Sequence, residues 1–121
     1  MKLKALLQQV LEIKGVLSAA VVDSDGLVLE GVSAEGTDLS FVGGAIASSL
    51  ASSKALAGLL GEGRITQTMI EYENGPVLMT PLEAEGKEFI AVLTLEAANA
   101  LGRVRFQLRK LLPDLALAVT Q

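Results

Sequence analysis

The stretch VLSAAVVDSDGLVLEGV, residues 16–32, decides the architecture. Residues 16–22 are small and β-branched, the composition of a buried strand. Asp23-Ser24-Asp25-Gly26 is turn chemistry, with Gly26 free to take a positive φ. Residues 27–32 return as a second strand. A connection this short makes the pair antiparallel, because a parallel pair needs a long crossover. The Asp-x-Asp-Gly spacing superficially matches a calcium loop. Such a loop needs further oxygen ligands and a bidentate Glu, and Leu27, Val28 and Leu29 follow instead. The segment reads as a hairpin turn.

Upstream, Leu3, Leu6, Leu7, Val10 and Leu11 recur at helical spacing, and Gly15 is a stop signal. Downstream, residues 33–36 form a loop, and Thr37 or Asp38 can cap a long second helix running to about residue 60. Gly61-Glu62-Gly63 ends it. Residues 65–72 alternate as a third strand, and Glu73-Asn74-Gly75 is a hairpin signal. Residues 76–82 form the fourth strand, with Pro76 at a tolerated first position. After a turn at residues 83–86, residues 88–95 form the fifth. A third helix spans about residues 97–112, where Pro113-Asp114 breaks or kinks it before a short apolar tail. The order α-β-β-α-β-β-β-α predicts one α+β domain over residues 1–121, a sheet with helices on its faces.

Composition narrows the chemistry. Half of the 121 residues are hydrophobic and 20% are charged, which rules out an intrinsically disordered chain. With no Cys there is no disulfide, thiolate metal site or cysteine nucleophile. With no His, the commonest general base and transition-metal ligand is gone. Net charge is −4, so no nucleic-acid partner is expected. The uncharged stretch 39–53 is too short and too rich in Ser and Gly to span a membrane. No targeting segment is legible at the N-terminus, and the expected setting is cytoplasmic. Gly58-x-x-x-x-Gly63-Arg64-Ile65 lacks the Lys and Ser/Thr of a phosphate loop and follows a helix, where that loop follows a strand. The carboxylate pairs Glu71/Glu73 and Glu83/Glu85 fall at a strand end and a turn, where acids are solvated. No catalytic residue, cofactor or metal ligand is expected.

The second helix is the informative element. Leu39, Val42, Ile46, Leu50, Ala57 and Leu60 share one side, which should face the sheet. Gly44, Ala47, Ser48, Ala51, Ala55 and Gly58 form a second stripe roughly opposite, and Lys54 is the only charge in the helix. Either the helix is buried within its own domain or another backbone approaches its small side. A chain of 121 residues has few spare elements to cover that side, so an intermolecular pair is favoured. Residues 66–72 carry only Glu71 as a charge, and an unprotected edge strand invites pairing with another chain.

Arg103, Arg105, Arg109 and Lys110 concentrate on the third helix. They either offset the helix dipole or contact a partner or a phosphate. Phe106 falls away from the stripe Leu101, Val104, Leu108, Leu112, which makes Arg103, Phe106 and Lys110 candidate partner contacts.

The element order, the turn Asp25-Gly26, the Ala-rich second helix, the hairpin Glu73-Asn74-Gly75-Pro76-Val77-Leu78 and the helix opening Asn99-Ala100-Leu101-Gly102-Arg103-Val104-Arg105 together resemble the roadblock / dynein light chain family. Within it the chain is similar to the single-domain, MglB-like bacterial members, over about residues 3–112. The resemblance implies a profilin-like, five-stranded antiparallel sheet in the order 2-1-5-4-3. It implies homodimers that pair the second helices and the third strands, adding Thr66, Thr68 and Ile70 to the interface stripe. It implies a regulator or scaffold for a small Ras-like GTPase of the MglA type, acting in motility or polarity, with no catalytic residue of its own. The family's Gly and Arg in the last helix map to Gly102 and Arg105. No arginine finger is expected, since Arg103, Arg105 and Arg109 are helical and Arg64 leads into a strand. The alternatives are a profilin-like small-molecule sensor or a structural interaction domain. With 3% aromatic residues the chain is poorly equipped for a ligand pocket.

Overall fold

Each strand-to-strand turn read from the sequence closes an antiparallel pair in the computed structural model, which describes residues 2–121. The elements are α1 (Lys2–Leu11), β1 (Val16–Asp23), β2 (Val28–Ser33), α2 (Gly43–Leu60), β3 (Thr68–Tyr72), β4 (Gly75–Ala84), β5 (Lys87–Leu95) and α3 (Leu101–Ala118), the last entered through a 3-10 turn at Ala98–Ala100. The sheet runs β2-β1-β5-β4-β3, the order that the family resemblance implies. Its edges are β2 and β3.

The turns show why the strands reverse where they do. Asp23 Oδ1 accepts the backbone N–H of Asp25 and of Leu27, each at 2.9 Å, which folds the β1–β2 connection. Between β4 and β5, Ala84 pairs with Lys87 across a two-residue loop. Both loop residues, Glu85 and Gly86, have positive φ (51° and 77°), the requirement of a type I′ turn.

Strand alternation gives the sheet two apolar faces. One carries Val21, Leu78, Leu93 and Leu95 against Leu7 and Val10 of α1 and Val104 and Leu108 of α3. The other carries Ala20, Val22, Met79, Ile90 and Val92 under Leu50 of α2. The first is the main core. The second is smaller, because the single helix α2 covers that face.

The start of the second helix and the end of the third need correction. The second helix starts at Gly43, so neither Thr37 nor Asp38 caps it. Asp38 Oδ1 instead accepts the Ser40 N–H at 2.9 Å, and this local turn diverts the chain before the helix begins. The third helix does not end at Pro113: it continues unbroken to Ala118. Proline removes one backbone hydrogen bond and costs about 3 kcal/mol inside a helix. Beyond it, Leu115 and Ala118 are buried in the main core, and that burial outweighs the loss. The apolar tail is therefore the last part of α3.

Candidate interaction surface

α2 is pinned at its start. Gly43 lies so close to the Gly26 carbonyl and to Val28 that no side chain fits between them. Leu50, 3% exposed, anchors the middle of the helix in the second core, with Ile46 packed beside it. Lys54 forms an ion pair with Glu88 at the start of β5, which marks where the helix reaches the end of the sheet. Past that point α2 overhangs. Leu56, Leu59 and Leu60 are exposed, Leu59 at 86%, so Leu60 does not face the sheet as its periodicity predicted. Gly61, with φ of 70°, and Glu62 close the helix through a hydrogen-bond pattern that a left-handed residue makes possible, Glu62 N–H to Ala57 O at 3.0 Å and Gly61 N–H to Gly58 O at 3.4 Å.

The small-residue stripe faces outward. Gly44, Ser48, Ala51, Ala55 and Gly58 are exposed, and Ala47 is half-buried. A Cβ added at Gly44 or at Gly58 would meet nothing within 4 Å. Neither glycine is explained by packing within the chain, although glycine in a helix interior costs about 1 kcal/mol relative to alanine.

The sheet has a free edge at β3. β3 pairs with β4 alone, and Met69, Ile70, Glu71 and Tyr72 are exposed. Thr68 and Ile70 lie in this strand. Thr66 precedes it, exposed, in the connection 61–67. Between the first half of α2 and the sheet opens an apolar groove of about 310 Å³, with Phe41 and Tyr72 at its rim and Ile46 and Val77 along its walls. At its floor the Ser18 and Thr94 hydroxyls share a hydrogen bond of 2.6 Å between β1 and β5. Phe41 is 84% exposed. The sequence reading missed Phe41, Tyr72, Leu56 and Leu59; the helical angle of the two leucines, off the sheet-facing side, was the available signal.

The structure separates the expected α3 contacts. The Arg103 Nε donates to the Lys14 carbonyl at 3.1 Å, so this guanidinium ties α3 to the turn between α1 and β1. Phe106 and Lys110 point outward as a pair, the ammonium 4.5 Å from the ring centroid. Gly102 beside them also has open space at its Cβ position. Arg64 is on the irregular connection between α2 and β3, not at the head of a strand, and meets Glu83 at 3.4 Å. Among the described residues no group of acids, His or Cys is arranged to hold a metal ion, and no helix is long and apolar enough to cross a membrane.

Residues 2–94 match the Roadblock/LC7 domain family. An uncharacterized protein of Methanocaldococcus jannaschii, MJ0310, is 30% identical over 97 residues, covering 80% of this chain and 82% of its own. Myxococcus xanthus MglB superposes with a TM-score of 0.84 at 19% identity, covering 98% of this chain and 88% of that one. The gliding protein MglB of Thermus thermophilus superposes with a TM-score of 0.78 at 26% identity, covering 95% and 86%. Family match, strand order and the likeness to MglB agree: the chain belongs to the roadblock/LC7 family.

Proposed function

We propose that this protein is a homodimeric, non-catalytic regulator or scaffold of a small Ras-like GTPase, acting in the cytoplasm. One observation carries the dimer: the outer stripe of α2 holds two glycines with empty Cβ positions, in a chain whose strand β3 is also an open sheet edge. Small residues let a second α2 come close, and two β3 edges pair antiparallel into one continuous sheet. Leu59 and Tyr72, exposed in the single chain, extend the same surface and would be covered by the second copy. The GTPase assignment rests on the family and on the likeness to MglB proteins.

Regulation of this kind needs no catalytic group on the regulator. It needs a surface that binds one nucleotide state of the GTPase better than the other. The arginines fit a shape-based role. Arg103 is held by the turn between α1 and β1, and Arg105 and Arg109 sit on the helix α3. Arg64 is the one on an irregular loop, and so the one whose removal tests for a finger.

Sedimentation should give a dimer for the native chain and monomers for Ala51→Glu and for Ile70→Lys. The first places like charges in the helix pair and the second puts a lysine on the edge. Dimers in both variants would move the interface elsewhere. GTP- and GDP-loaded small GTPases from the same genome should be retained unequally by the immobilised protein. Arg64→Ala should leave any stimulation of GTP hydrolysis intact. Failure to bind either nucleotide state rejects the GTPase reading and favours the sensor alternative, for which the groove beside Phe41 is the site to examine.

A further inference from the structure

On the opposite face of the sheet from α2, a cleft of about 240 Å³ opens between α3 and the β3–β4 side, lined by Thr66, Gln67, Thr80, Arg105 and Arg109 over Leu108 and Leu112. Arg105 and Arg109 are four residues apart on α3, so they stand on the same side of the helix. Neither guanidinium has a hydrogen bond or an ion pair among the described residues, where the ion pairs are Lys54–Glu88 and Arg64–Glu83. No carboxylate lines the cleft.

Thr80 supplies the second observation. It alternates along β4 with the core residues Leu78 and Leu82, which turns it toward the α3 layer. It is 6% exposed, and its hydroxyl has no hydrogen-bond partner. Buried hydroxyls are normally satisfied. The cleft that Thr80 lines also holds two arginines, whose guanidiniums donate and cannot accept, and Gln67, whose amide can do both. The cleft therefore holds an excess of donors and two uncompensated positive charges, in a chain whose net charge is −4.

We propose that Arg105, Arg109, Gln67 and Thr80 form a binding site for a phosphate monoester group. The charge selects the ligand. A phosphate monoester carries about −1.5 to −2 and three strong acceptor oxygens, which match two guanidiniums, a hydroxyl and an amide. A carboxylate would neutralise only one of the two. The site lies on the sheet face opposite α2.

The full-length protein is titrated with inorganic phosphate and with glycerol 3-phosphate, followed by calorimetry and by the thermal midpoint, against sodium chloride at equal ionic strength. In parallel it is sedimented with phosphatidylcholine vesicles with and without phosphatidic acid. Binding is expected in at least one arm: the soluble arm alone identifies a free ligand, and sedimentation only with phosphatidic acid identifies a lipid headgroup. Arg105→Gln with Arg109→Gln should abolish it. Thr80→Val should weaken it about tenfold while leaving the ligand-free midpoint unchanged or raised, since the variant removes an unsatisfied buried hydroxyl. Equal effects of phosphate and chloride with no vesicle binding, or binding that survives the double substitution, would overturn the site.

Discussion

Gly43 in the first turn of α2 and Gly26 in the β1–β2 turn meet backbone to backbone, with no room for a Cβ on Gly43. The neighbouring Gly44 has nothing within 4 Å of its Cβ position. One glycine is thus required by the fold of the chain, and the next is not. Gly43→Ala should cost about 1–3 kcal/mol by overpacking. Gly44→Ala should raise the stability of the isolated chain by up to about 1 kcal/mol through helix propensity, and it should weaken self-association. Denaturant midpoints measured at several protein concentrations separate the two effects.

Glu85 is a non-glycine residue held at a positive φ, 51°. The type I′ turn it occupies favours Asn or Gly there. Glu85→Asn should stabilise the protein by roughly 0.5–1 kcal/mol without altering oligomeric state. A thermal midpoint that does not rise would show that the strain is already relieved in the native turn.

The segment beyond Pro113 is structural. Leu115 is completely buried in the main core. Leu115→Ala should cost about 2–5 kcal/mol, read by urea unfolding. Pro113→Ala should instead stabilise α3, because it restores the missing backbone hydrogen bond. A negligible cost for Leu115→Ala would mean that the last turns are not docked.

Asp38 responds to acid. The Ser40 backbone N–H, and then the Ser40 hydroxyl, hold its carboxyl below the ordinary value of 3.8. A carboxylate with a lowered native pKa contributes stability above its unfolded value, and that contribution is lost as pH falls through the native value. The wild type should therefore lose stability below about pH 4 by more than Asp38→Asn does. Thermal midpoints for the two proteins from pH 6 downward test this; parallel curves would remove Asp38 from the acid response.

What the sequence decided alone was local or periodic. Asp23-Ser24-Asp25-Gly26 and Glu73-Asn74-Gly75 specify their turns through short side-chain and backbone preferences, so the hairpins were legible. The outward stripe of Gly44, Ser48, Ala51 and Ala55 follows from the 3.6-residue period and needs no knowledge of the rest of the chain. The strand order came with the family resemblance, since pairing of β1 with β5 joins residues some seventy positions apart, such as Val21 with Ala91. Tertiary structure decided everything that depends on distant neighbours. It carried α3 through Pro113, because burial of Leu115 exceeds the cost of one proline. It left Leu60 in solvent, because α2 outruns the sheet at the Lys54–Glu88 pair. It brought Phe41 and Tyr72 to one groove, and Thr80, Arg105 and Arg109 to one cleft, because a five-stranded sheet with helices on two faces sets such residues together whatever their separation in the chain.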